Sequence, residues 1–335
     1  MHLYFSTVIR NAPPDRGGEL VCLDWDAKRV EATVPIAARN PTLDDPNPRG
    51  NTRGGRGVAV VGDEVVVASY HTLRVFDRGL APQRDLTHPL MAGLHEVTPT
   101  GRGSVWVTAT AIDAALEIDL ESGKALREFW PREQPGLQRE LGLAPLDVDK
   151  SADNRARFAA GDHLGDASHL HLNAVAEHDG DVLALFNRLG AVASLSEDRV
   201  VVRDGAIRKG HNLLVDGNRL WVNDTPGRRL FAFDLSSGGR ERKISLMKLD
   251  AVSERARPLD RRYRIARFLH ERGLRRVAPP LPIFLRGLAR AGDRLFVGIS
   301  PAAILCLDAA SGRLRDTFQY SNDVHTCIHG LTVVR

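Results

Sequence analysis

One pattern recurs along this chain and restricts what it can fold into. GHNLLVDGNRLWVNDTPGRRLFAFDLSSG (210–238) can be set beside FLRGLARAGDRLFVGISPAAILCLDAASG (284–312), LHEVTPTGRGSVWVTATAIDAALEIDLESG (94–123) and RGVAVVGDEVVVASYHTLRVFDRG (56–79). A further copy, HLNAVAEHDGDVLALFNRLGAVASLSEDRVVV, fills 171–202. Each copy has a short apolar strand, a Gly-containing turn, an alternating strand such as RLWV or RLFV, a loop, and a third strand, most often ending in Asp. A less regular fourth strand follows. Period-two runs bounded by hairpin residues are strands, so the unit is an antiparallel four-stranded sheet.

Four strands per unit, repeated, is the pattern of a β-propeller. The inner-strand entrances fall at Gly57, Glu96, Asn173, Asn212, Gly287 and Gly330, separated by 39, 77, 39, 75 and 43 residues. The short intervals match a single blade of about 40–45 residues. The long intervals exceed one blade without containing strand patterns. Residues 132–168 are polar and broken by Pro and Asp, and within 250–283 the stretch LDRRYRIARFLHERGLRR (259–276) sets Tyr263, Ile265, Phe268, Leu269 and Leu274 on one helical face with arginines on the other. The chain ends on a lone strand, IHGLTVVR, and opens mid-unit with LYFSTVI and GELVCLDWDAKRV, so each end supplies what the other lacks. The expectation is an all-β fold: one six-bladed β-propeller domain over 1–335, closed by pairing of the N- and C-terminal strands, with insertions 132–168 and 250–283, the latter holding a short helix, over the channel mouth.

Composition narrows the function classes. No stretch approaches the length of a membrane span and no secretory leader opens the chain, so a cytoplasmic location and no membrane partner are expected. Cys22, Cys306 and Cys327 lack the spacing of a disulfide framework and read as buried thiols. The net charge of +4 comes from scattered arginine, with only six lysines among 46 basic residues, and aromatics are 6%. That is too dispersed for a nucleic-acid face, and no nucleic-acid partner is expected.

The entrances are where chemistry concentrates. Arg56-Gly57, His95-Glu96, His171-Leu172-Asn173, His211-Asn212, Arg286-Gly287 and His329-Gly330 all converge on one opening under sixfold pseudosymmetry. Neutral imidazole is the commonest transition-metal ligand, so His95, His171, His211 and His329 are the candidate ligands of a divalent ion: iron, manganese, zinc or calcium. Arg56 and Arg286 have no carboxylate at their own entrances and suit a carboxylate or phosphate, unless Asp44, Asp45 or Asp162 of the covering loops claim them. Asn173 and Asn212 would join them in holding substrate, and Glu96 and His329 are the candidate proton carriers. The same ring can also serve only to hold water and cap backbone groups.

The stretch HNLLVDGNRLWVNDTPGRRLFAFD resembles the blade signature of the senescence-marker/gluconolactonase/strictosidine-synthase-like propellers: an Asn before an apolar inner strand, an alternating strand, a D-T turn, then R-x-x-x-F-D. The resemblance implies a calcium or other divalent ion held at the mouth by a Glu and Asn or Asp of successive inner strands. Here those would be Asn212, Asn173 and Glu96. The pattern departs at Arg286-Gly287, where an Asp would stand, and at Arg56-Gly57. The HxN and GHN entrances are also similar to those of uncharacterised bacterial propellers with histidine-rich mouths, a likeness that names no activity.

Neither G-x-S-x-G, a phosphate loop, C-x-x-C nor H-E-x-x-H occurs. Two function classes stay open. One is a metal-dependent enzyme, of hydrolase, lactonase or lyase type, or an oxygenase with iron, acting on a small anionic molecule. The other is a non-catalytic propeller that binds a partner across its loop face.

Overall fold

The computed structural model describes the chain apart from residues 11, 13–15, 37–51, 160–169, 277–278, 280–281 and 335. Strand β1 (His2–Arg10) is followed by β2 (Gly18–Asp24), β3 (Arg29–Ile36) and the short β4 (Thr52–Gly54). Five sheets of four strands come next, each laid out in chain order: β5–β8 (Val58–Val61, Glu64–Ser69, Thr72–Asp77, Pro82–Leu86), β9–β12 (Leu94–Pro99, Ser104–Ala109, Ala114–Asp119, Ala125–Phe129), β13–β16 (Leu172–His178, Asp181–Phe186, Ala191–Ser194, Arg199–Arg203), β17–β20 (Leu213–Asp216, Arg219–Asp224, Arg229–Asp234, Arg240–Ser245) and β21–β24 (Leu288–Ala291, Arg294–Ile299, Ala303–Asp308, Leu314–Gln319). The last strand, β25 (Thr326–Val334), returns to the first: the remaining sheet has the order β25-β1-β2-β3, with β4 also on β1. The result is a six-bladed propeller, and its closing blade is built from both ends of the chain, with His2 opposite Val334 and Phe5 opposite Leu331.

The ring is held by what lies between blades. Strand side chains alternate between the two faces of a sheet, and here both faces are covered. Trp221, Leu230 and Ala232 pack toward the β21–β24 blade, while their neighbours Leu220, Val222, Phe231 and Phe233 pack toward β13–β16. Six apolar clusters fill the six interfaces in this way, including the one that joins Leu3, Phe5 and Trp25 to Phe296 and Ile304 across the closure. Cys22 and Cys306 sit in two of them as small apolar groups, and burial raises both thiols above their ordinary pKa. Each fully buried Leu or Phe contributes about 1.5–3 kcal/mol.

The Asp that ends the third strands has a turn to build. Asp119, Asp234 and Asp308 each accept the backbone N–H and the hydroxyl of a Ser three residues on, and the following Gly123, Gly238 and Gly312 adopt φ of 72°, 68° and 73°. The recurring D-x-x-S-G is therefore local turn chemistry.

The insertions hold no strand among the described residues, and their placement differs in part from the expectation. Helix α1 (Pro135–Leu141) is capped by Asp198, whose carboxylate accepts Gly136 and Leu137 N–H at 2.7 and 2.8 Å. Asp198 lies in the β15–β16 turn, at the end of the blade away from the inner-strand entrances, so this part of the insertion does not cover the mouth. Helix α2 (Asn154–Ala159) returns to the mouth side, where Asn154 N–H reaches Pro89. Helix α3 (Asp250–Glu271) starts before the predicted 259 and stops short of 276. Its packed residues are Val252, Ser253 and Ala256, not the predicted face: Ile265, Phe268 and Leu274 are 55%, 52% and 74% exposed. The N-terminal turns bury small side chains against the ring; of the predicted face, Tyr263 and Leu269 are half-buried, while Ile265 and Phe268, with Leu274 just beyond the helix, face solvent.

Truncation after Asp323 removes β25 and bares the inner edge of β1. The shortened chain is expected to lose cooperative thermal unfolding altogether, and a melt within a few degrees of the full chain would show that closure is dispensable.

Candidate functional site

Why two consecutive side chains can both reach the axis follows from a break in strand register. In β9, Val97 pairs with Val107 but Leu94 pairs with Ala109, leaving His95 and Glu96 opposite Thr108 alone. A β-bulge of this kind suspends the alternation of side chains, so neighbours in sequence can face the same way. Glu96 N–H, freed from the ladder, donates to Thr108 Oγ1 at 2.9 Å. The device recurs. In β25, His329 and Gly330 stand opposite Ser6, whose hydroxyl accepts Gly330 N–H at 2.9 Å and donates to the Arg56 carbonyl. Asn173 is the extra residue of β13. Ahead of β17, both His211 and Asn212 N–H donate to Asn223 Oδ1, at 2.8 and 3.0 Å.

The deeper of each pair makes a floor. Asn212 Nδ2 donates to Glu96 Oε2 at 2.8 Å from two blades away, and Asn212 Oδ1 accepts Asn223 Nδ2 and Gly287 N–H at 2.7 and 2.8 Å. Gly57, Gly287 and Gly330 give the room: a Cβ on Gly57 would come within 2.3 Å of Glu96 Oε1, and one on Gly330 within 2.3 Å of the Arg56 carbonyl. Large side chains on three blades and none on the other three let six strands meet at one level. Asn173 is fully buried, its Nδ2 donating to Gly210 at 3.1 Å and its Oδ1 without a partner among the described residues.

Above the floor the shallower residues form a ring. His95 is at its centre, with ring centroids 4.7 Å from His329, 5.4 Å from His211 and 6.1 Å from His171. His171 thus reaches the mouth; His169 lies outside the described residues. His211 is fixed: Nδ1 donates to the Lys209 carbonyl at 2.9 Å, with Thr225 Oγ1 at 2.7 Å, and Nε2 accepts Arg286 Nη2 at 2.7 Å. His95 Nδ1 and both nitrogens of His329 have no partner among the described residues, although His329 is only 1% exposed. Arg286 stacks on Phe284 at 4.6 Å, where Arg10 also lies at 5.4 Å, and Arg56 stacks on Tyr70 at 4.7 Å.

The electrostatics are those of a buried cationic site. Burial above all, with the neighbouring imidazoles, Arg286 and Arg56 adding to it, holds His95, His211 and His329 well below the ordinary imidazole pKa, so all three are neutral at physiological pH. Burial and Arg56 lower Arg286 to about 9. Burial pushes Glu96 up to about 8 against the opposing hydrogen bonds from Val97 and Asn212, so at neutral pH the carboxyl is largely uncharged. Among the described residues, no carboxylate forms an ion pair with Arg56 or Arg286; Asp44, Asp45 and Asp162 lie outside them.

Among the described residues the donor set is not arranged for a divalent metal. His211 has both ring nitrogens engaged, and Asn212 Oδ1 is spent on two N–H groups. Two guanidinium groups add positive charge where a cation would sit. Among the described residues no three His, Cys, Asp or Glu side chains are arranged to hold a metal ion.

The sequence reading brought together the right blades and missed Arg10, Tyr70, Phe284 and Thr225. None stands at an inner-strand entrance: Arg10 closes β1, Tyr70 and Thr225 lie in loops between strands, and Phe284 precedes Arg286-Gly287 ahead of β21. Their arrival depends on the ring being closed.

No protein-family model matches the sequence, and no curated protein matches it. Solved structures do. A protein of unknown function from Bacteroides caccae aligns with a TM-score of 0.59 at 9% identity, over 98% of each chain. The nidogen/laminin complex structure contains a chain similar at TM-score 0.56 and 11% identity, over 99% of this chain and 97% of that one. At such identities the likeness is one of fold: it supports the six-bladed propeller and is silent on the histidine ring.

A group with a raised carboxyl pKa stabilises the fold fully below its unfolded value near 4.5 and loses that contribution as pH climbs toward 8. Glu96→Gln removes the titration. The melting temperature of the variant relative to wild type should therefore rise steadily across that range, by on the order of a few kcal/mol in stability. The buried histidines act with opposite sign and cancel in the difference, so a flat difference would show Glu96 ionised throughout.

Proposed function

We propose that the channel mouth binds a small anionic molecule, a carboxylate or phosphate compound, gripped by Arg56 and Arg286, and that His329 exchanges a proton with it. The observation that carries this reading is a pair of half-buried guanidinium groups that form no ion pair among the described residues, beside a carboxyl, Glu96, that burial pushes toward its neutral form. Buried charge without a partner is costly, and a planar guanidinium matched by a carboxylate or phosphate recovers that cost through paired hydrogen bonds. Tyr70 and Phe284 back the two arginines and limit the rotamers they must give up on binding. His329 is neutral and neither ring nitrogen has a partner among the described residues, which suits a base, while the largely protonated Glu96 is an acid one layer down. Proton removal from, or delivery to, a bound carboxylate or phosphate compound is chemistry of lyase or hydrolase type. Within the senescence-marker-like group of propellers that the 211–234 stretch resembles, this mouth would be a variant in which two arginines take the place of the cation.

Thermal shift and calorimetry with inorganic phosphate, sulfate and small di- and tricarboxylates test the proposal. At least one anion should raise the melting temperature, and Arg286→Gln should weaken its binding by about tenfold or more, the worth of a charged hydrogen bond. Calorimetry in buffers of different ionisation enthalpy should show proton uptake or release on binding that His329→Gln abolishes. No stabilising anion, or unchanged binding by Arg286→Gln, would overturn the reading. So would stoichiometric iron, manganese, zinc or calcium in protein purified without tag or chelator and lost from the His95→Ala/His211→Ala variant, which would restore the histidine ligand set.

A further inference from the structure

Helix α3 is longer than its packing requires. Its 22 residues span about 33 Å at 1.5 Å per residue, and the ring engages mainly the first half. Val252 and Ala256 enter an apolar cluster with Leu285 and Ile244, Arg255 bonds Gln319, and Asp260 accepts Arg228 Nη1 at 2.7 Å. At 100° per residue, positions 252, 256 and 263 share one side, and Ile265 and Phe268 project from the opposite one. Those two are more than half exposed, as is Leu274 just beyond the helix.

Their surroundings are strongly basic. Between 261 and 276 stand Arg261, Arg262, Arg264, Arg267, Arg272, Arg275 and Arg276 against a single acidic residue, Glu271, which pairs with Arg267 at 2.7 Å. All seven arginines are exposed. Arg272 folds over the Phe268 ring at 4.7 Å, its charge held beside the apolar tip. An apolar ridge flanked by cations on a solvent-facing helix is the pattern of a segment that lies in the plane of a membrane surface. Arginines alone would suit any polyanion, but Ile265, Phe268 and Leu274 contribute nothing to phosphate contacts and are stabilised only where they leave water. Among the described residues no helix is long and apolar enough to cross a membrane, and a helix lying at the interface needs no such span.

We infer that the second half of α3 docks the propeller on an anionic lipid surface, with Ile265 and Phe268 entering the headgroup region and the arginines meeting lipid phosphates. This is independent of what the channel mouth binds.

Flotation of the full chain with phosphatidylcholine vesicles, with and without added phosphatidylglycerol, tests it. Binding is expected only with the anionic lipid and should weaken with salt. Removing one arginine, as in Arg264→Gln, should lower partitioning about fivefold. Ile265→Ser/Phe268→Ser should lower it by about tenfold or more, with the melting temperature unchanged because both side chains are already exposed. Absence of binding to the anionic vesicles at low salt would overturn the inference. Equal retention of wild type and the Ile265→Ser/Phe268→Ser variant would also do so, as would retention on heparin or duplex oligonucleotide that matches or exceeds that on vesicles; either would assign α3 to a polyanion instead.

Discussion

Everything in this molecule depends on apolar packing between one blade and the next. A four-stranded sheet with two apolar faces cannot be stable alone in water, so each blade is folded only because two others cover it. That requirement is circular and is met only when the ring closes, which is why the first strand lies between the last strand and the second. Closure also removes inner edges that would otherwise recruit other chains.

The inner strands then have to converge on an axis that six side chains of ordinary size would overfill. The chain resolves the crowding with glycine on three blades and with Glu96, Asn173 and Asn212 on the others. Bulges at the same level turn a second residue toward the axis, and the side chains of Ser6, Thr108 and Asn223 take up the N–H groups that the bulges release. One packing problem thus yields two layers: a hydrogen-bonded floor and, above it, a ring of histidine and arginine. The polar groups of the floor are mostly paired with each other, whereas among the described residues several in the ring have no partner.

Low dielectric sets the character of that ring. Burial makes the three innermost imidazoles neutral and the Glu96 carboxyl a weak acid, leaving the guanidinium groups as the dominant charges. A histidine cluster in sequence suggests a metal, and in space the same cluster stands beside two arginines. The difference lies in where Arg286 points, with one of its nitrogens on His211 Nε2.

The sequence by itself determined the blade count, the strand order and the closure, because these follow from period-two alternation, turn residues and repeat spacing, all local signals written six times. It also placed His95, His171, His211, His329, Arg56 and Arg286 around one opening, since equivalent positions in a repeat must meet at the axis. Tertiary structure alone decided which atoms are satisfied there. Hydrogen bonds such as Asn212 to Glu96, 116 residues apart, and the stacking of Arg286 on Phe284 depend on register bulges that no local pattern encodes. The outward face of α3 escaped the sequence for a related reason: helical periodicity shows that an apolar stripe exists, but only the position of the helix on the ring determines whether that stripe turns toward the protein or toward solvent.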